Sequence, residues 1–91
     1  MRVILLPRSF DIATVRTVAT EIQDALAVGE LTFDATETAK VDAAGLQVLC
    51  AAMSAARTAG RRVVWKNVPA ALREGARTLA LDTALELPEA R

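Results

Sequence analysis

The apolar positions of this chain alternate between short unbroken runs and longer stretches of helical spacing, a pattern that predicts strands and helices in turn. Val3-Ile4-Leu5-Leu6, closed by Pro7, reads as a buried strand. Asp11 offers an N-cap to a helix in which Ile12, Val15, Val18, Ala19, Ile22 and Leu26 share one side. Arg16, Thr17, Thr20, Glu21 and Asp24 occupy the other side, and Gly29 is placed to end the helix. Leu31 to Ala35 predicts a second strand, followed by a polar crossing over residues 36–40 that ends at Val41. Asp42-Ala43-Ala44-Gly45 then opens a second helix with a core stripe of Leu46, Leu49, Cys50, Met53 and Ala56, while Gln47, Ala51, Ser54 and Thr58 face away. Gly60 ends it, and residues 63–68 read as a third strand buried on both faces. Pro69 suits the first turn of a third helix continued by Leu72, Ala76 and Leu79. Gly75 inside that helix costs roughly 1 kcal/mol relative to Ala and permits close packing. Residues 85–87 fit a last strand or a short helix, and 88–91 a frayed tail.

Strands and helices joined by short connections imply an α/β fold with right-handed crossovers. The expectation is one domain over residues 1–91, with an about four-stranded, mostly parallel or mixed sheet and three to four helices. A chain of 91 residues buries only about 60% of its unfolded surface, so most of its apolar residues must serve one core.

Charge and composition narrow the function. Eleven basic and eleven acidic residues cancel and are scattered, which leaves no basic stripe for a phosphate backbone, so no nucleic-acid partner is expected. No apolar run approaches the roughly 18 residues that span a bilayer, and the run before Pro7 is too short for a secretory signal; the expectation is a cytoplasmic protein with no membrane insertion. The chain has no His and no Tyr, which removes the commonest general base and the commonest nitrogen ligand of metals. Cys50 is the single cysteine, read as an inert core residue, and it excludes an internal disulfide. No metal, cofactor or catalytic residue is expected.

The richest local chemistry is at the start of the second helix. Asp42 there can accept backbone N–H bonds and favours the positive end of the helix dipole, while Gly45 lets a partner, or the chain's own backbone, approach closely. On these grounds alone a simple capped helix start is the better account of the segment, since capping residues are common and functional helix starts fewer. Leu31-Thr32-Phe33-Asp34, seven residues of turn and short strand, and then Asp42-Ala43-Ala44-Gly45-Leu46 together resemble the signature of STAS domains. That fold is shared by anti-sigma factor antagonists and the cytoplasmic tails of sulfate transporters. Ser9 to Thr14 before the first helix and Val68-Pro69 before the third are secondary matches, so the resemblance covers nearly the whole chain.

The resemblance implies a non-catalytic regulator that binds a protein partner through the start and outer face of the second helix. The residues it assigns to that surface are Asp11, Thr38, Asp42, Ala43, Ala44, Gly45, Gln47, Ala51 and Ser54. In anti-sigma factor antagonists the residue after the Asp is a serine that a partner kinase phosphorylates. Here it is Ala43, so there is no acceptor for the usual addition of about −1.5 to −2 charges. The resemblance offers three partners: an anti-sigma factor of kinase fold, the ATPase of a lipid-trafficking ABC transporter of which this chain would be a small cytoplasmic subunit, or a chemotaxis or signalling-array protein. An enzyme reading would gather Asp11, Asp34, Asp42 and Lys66 at strand ends as a phosphoacceptor or magnesium site. Caps and strand-end positions account for these residues better.

Two departures from the family pattern matter. Many members begin with a two-strand hairpin, whereas only one strand fits before Asp11, which leaves a sheet edge able to self-associate into a homodimer. Ala80 stands where the family has a glycine at the exit of the third helix, which puts the geometry of that turn in question.

Overall fold

Pro7 stops the first strand, as its missing N–H dictates, but pairing resumes beyond it. A computed structural model describes residues 2–88. Arg2–Leu5 forms β1 and Ser9–Phe10 a two-residue β2; Val15–Val28 is α1, Leu31–Asp34 β3, Lys40–Val41 β4 and Ala43–Ala59 α2. Val63–Lys66 is β5, Ala70–Thr78 α3 and Asp82–Leu85 α4. All the pairings are parallel: β3 lies between β1 and β5 in one sheet, and β2 pairs with β4 in a second. The expected four-stranded sheet is thus three strands plus two. Pro7 on one side and the Ala35–Thr38 turn on the other, closed by Thr38 N–H to Ala35 O at 3.1 Å, interrupt the ladder between them.

The order β1-β3-β5 advances in one direction through α1 and α2, so crossovers of one hand place both helices on the same face. Ile4, Leu31 and Phe33 on that face are buried, together with Val18, Ile22 and Ala25 from α1 and Leu46, Leu49, Ala52, Met53 and Ala56 from α2. The other face starts with Val3 and Leu5, which stay 58% and 53% exposed. β5 is accordingly half-buried in Val63, Val64 and Trp65, where burial on both faces was expected: it is an edge strand, and α1 and α2 cover one face of the sheet.

Three details of the helices correct the sequence expectation. α1 starts at Val15, not after Asp11; residues 11–14 form a turn in which Thr14 and Val15 N–H both donate to Asp11 O at 3.0 Å. Ile12 falls on that turn, outside the helical period, and is 77% exposed. Leu79 is 43% exposed because α3 ends at Thr78. Ala80, next in the chain, takes a left-handed φ of 58°, the conformation a glycine would hold without cost.

Gly75 does permit close packing: a Cβ there would stand 3.3 Å from Leu46 Cδ1. The last element is the helix of the two alternatives. It is tied to the sheet by Trp65, whose Nε1–H donates to Leu85 O at 2.9 Å while its ring lies 4.9 Å from that of Phe33. Apart from Pro88, the expected frayed tail lies outside the described residues.

Candidate functional site

The entrance to α2 is assembled by the short β2–β4 pair. Phe10 is in register with Val41, and the next residue along, Asp42, donates its N–H to Phe10 O at 3.1 Å. This places Asp42 in extended backbone, φ −105°, at the N-cap position. Its Oδ1 accepts the Gly45 N–H at 3.0 Å, and its carbonyl accepts the Leu46 N–H at 3.1 Å. The carboxylate is exposed at the positive end of a 17-residue helix.

Asp11 directly follows Phe10, as Asp42 follows Val41, so the pair of strands delivers both carboxylates to the same end of the sheet. Asp11 Oδ1 is occupied by the Ala13 N–H at 3.0 Å, which makes it an Asx turn leading into α1.

Beyond the cap, Ala43, Gln47, Ala51 and Ser54 are all exposed and recur at helical spacing, forming one stripe down the outer side of α2, with Ala44 half-buried beside it. Two residues expected on this surface are not on it. Thr38 is 4% exposed, and its hydroxyl donates to Pro7 O at 3.0 Å, bracing the gap between the two sheets. Gly45 is buried, and the close approach it allows is that of the chain's own backbone. A Cβ at that position would lie 2.6 Å from Phe10 O and 3.0 Å from Phe10 Cγ.

A feature absent from the sequence expectation adjoins the stripe. α1 and α2 pack with a shallow groove of about 210 Å³ between them, lined by Ala19, Ile22 and Leu26 from α1 and Val48, Ala51 and Ala55 from α2. Its walls are mainly apolar and small, and Ala51 belongs to both groove and stripe. The sequence signal was the run of small residues at 48, 51 and 55, legible only once the facing side of α1 is known. A larger cavity of about 570 Å³, walled by residues of α3, α4 and the chain after them, shares no residue with this surface.

The acidic residues of the enzyme reading do not gather into one cluster, and Asp34 is engaged within its own turn. Asp34 ends β3 in register with Lys66 of β5. Its Oδ1 accepts both the hydroxyl and, at 3.0 Å, the N–H of Thr36, whose hydroxyl oxygen in turn accepts from Asn67 Nδ2 at 2.8 Å. The Thr36 hydroxyl, with the Thr36 N–H, Asn67 and Lys66 adding to it, holds the Asp34 carboxyl below its ordinary value of 3.8. This is a turn lock that spends the carboxylate on its own loop. Among the described residues no group of three or more His, Cys, Asp or Glu side chains is placed to hold a metal ion. Cys50 is half-buried at the margin of the core, and burial pushes its thiol pKa up, away from the reactive thiolate.

A small α/β unit with parallel strands, four helices and a capped entrance to α2 has the architecture of a STAS-like single domain. The family model described as Mlab, STAS domain, matches residues 3–89, and the chain belongs to the STAS domain family. No curated protein matches it. No helix among the described residues is long and apolar enough to cross a membrane.

Proposed function

We propose that this chain is a non-catalytic, cytoplasmic STAS regulator that captures a partner protein on the outer stripe of α2 and the groove beside it, and that it does so without a serine switch. The observation that supports this is the run of exposed Ala43, Gln47, Ala51 and Ser54 continuing from the Asp42 cap into an apolar groove. Small side chains let a partner helix lie close to the backbone, and the groove removes apolar area from water on contact. The partner is a protein of kinase fold or a transporter ATPase. The hydroxyl-free entrance at Ala43 and Ala44 counts against a serine-switched antagonist and favours constitutive capture.

Ala51→Arg tests the surface, because Ala51 is exposed and shared by stripe and groove. The variant should keep its unfolding temperature and lose the partner protein captured by the unmodified chain from its source cells. Capture undiminished by Ala51→Arg refutes the assignment. Identification of the captured protein by mass spectrometry separates a kinase-fold partner from an ATPase. A further variant, Ala43→Ser, restores the missing hydroxyl; phosphate incorporation by a cognate kinase active on its own target would support the antagonist lineage over the transporter.

A further inference from the structure

β1 leaves half of its backbone unused. Arg2 N–H donates to Glu30 O and Leu6 N–H to Asp34 O, so the even-numbered residues of the strand turn their polar groups toward β3. By alternation the N–H and C=O groups of Val3 and Leu5 point outward, and β1 has no second neighbour among the described residues. The side chains of the same two residues are exposed apolar groups on the face of the sheet opposite α1 and α2.

From this geometry we infer that two copies of the chain pair through β1, antiparallel, about a two-fold axis at Ile4. In that register Val3 lies opposite the partner's Leu5, and Leu5 opposite the partner's Val3. These are hydrogen-bonded pairs, and together they satisfy all four outward groups of each strand. Shifting the centre to Leu5 sets Val3 against Pro7 of the second copy, which has no N–H to give. The Ile4-centred register also gathers the exposed Val3 and Leu5 side chains of both copies into one apolar patch on the open face, and it sets Arg2 opposite Leu6 rather than opposite another cation.

The second copy is favoured over a head-to-tail contact by the opposite edge. β5 carries Lys66 at its end and Arg61-Arg62 just before it, the charged residues that blunt an edge, whereas β1 has no charge after Arg2 and no bulge. A four-residue strand makes a small interface, so the dimer is concentration-dependent rather than obligate.

Sedimentation of the 91-residue chain should show an average mass rising toward that of a dimer with concentration. Leu5→Lys, which places a cation in the shared patch without touching the β1–β3 ladder, should raise the dissociation constant at least about tenfold with an unchanged unfolding temperature. The register is tested separately in a Cys50→Ser background. Oxidation should link the double variant Val3→Cys, Leu5→Cys into a covalent dimer, since hydrogen-bonded partners have Cα atoms about 5.5 Å apart, within disulfide reach. Val3→Cys alone should not cross-link. A chain monomeric at every concentration, a dimer indifferent to Leu5→Lys, or cross-linking by Val3→Cys alone each overturns the inference.

Discussion

Gly45→Ala should destabilise the protein even though alanine is the better helix former, and the size of the effect follows from one contact. The added methyl carbon would start 2.6 Å from Phe10 O, a backbone atom that cannot rotate away. The same oxygen accepts the Asp42 N–H at 3.1 Å, so relief requires β2 to move off β4 and the N-cap to follow. Overpacking of this kind costs about 1–3 kcal/mol, and losing the Asp42 bond about 1 kcal/mol more. Against these stands a propensity gain of at most about 1 kcal/mol. The net loss of about 1–3 kcal/mol lowers the unfolding temperature by roughly 5–20 °C in a domain of this size. Thermal and urea unfolding followed by far-UV circular dichroism measures it. Gly75→Ala is the matched comparison: its nearest neighbour is a side-chain methyl, Leu46 Cδ1 at 3.3 Å, which has to give by only a few tenths of an ångström, so the loss should be clearly smaller than that of Gly45→Ala. A Gly45→Ala protein as stable as the parent would refute the claim that the β2 backbone, rather than a partner, sets the requirement for glycine.

Asp42→Ala removes the side-chain cap from Gly45 N–H and should cost about 1 kcal/mol in urea unfolding, with Asp42→Asn retaining most of it. Ala80→Gly relieves the left-handed φ of 58° and should add about 1 kcal/mol; an unchanged or lower midpoint would mean the turn carries no strain. Asp34 is depressed in the folded chain, so the stability it contributes is present above its ordinary value of 3.8 and is lost as pH falls through the lower folded value. Thr36→Val should move the Asp34 titration up toward that ordinary value in a carboxyl-detected NMR titration and flatten the acid loss of stability.

The helices and long strands were legible because their signals are local. Asp42 and Gly60 bracket α2 in the sequence as they do in the structure, and Leu31 to Ala35 needs only its own apolar run to be a strand. What escaped depended on neighbours distant along the chain. Asp11 has the chemistry of an N-cap, yet Thr14 Oγ donates to Ser9 O at 2.9 Å, and the turn this closes delays α1 to Val15. Ser9 and Phe10 form a strand only because Lys40 and Val41 lie beside them, a pairing no two-residue pattern can announce. Val63 to Trp65 reads as buried on both faces, but burial depends on whether a second helical layer exists, and that follows from the order β1-β3-β5. The candidate surface divides the same way. Its exposed stripe follows from helical period alone, whereas Thr38 and Gly45 were drawn into it by the family pattern and are held inside by Pro7 and Phe10.

That division decides how substitutions around the α2 entrance should be interpreted. Asp42, Gly45 and Thr38 join β2, β4 and α2 through Phe10 O, the Gly45 N–H and Pro7 O, so changing any of them perturbs folding and the position of the helix together. Loss of binding in such a variant says nothing about contact. Ala43, Gln47, Ala51 and Ser54 are exposed, and among the described residues their side chains have no hydrogen-bond partner outside the helix, so a substitution there changes the face without changing what holds it. The absence of a hydroxyl at Ala43 belongs to the second group. A phosphate on a serine at that position would stand in solvent beside the Asp42 carboxylate and repel it. Ala43 offers no hydroxyl for such a phosphate, and the Asp42 cap on the Gly45 N–H does not depend on the side chain at position 43.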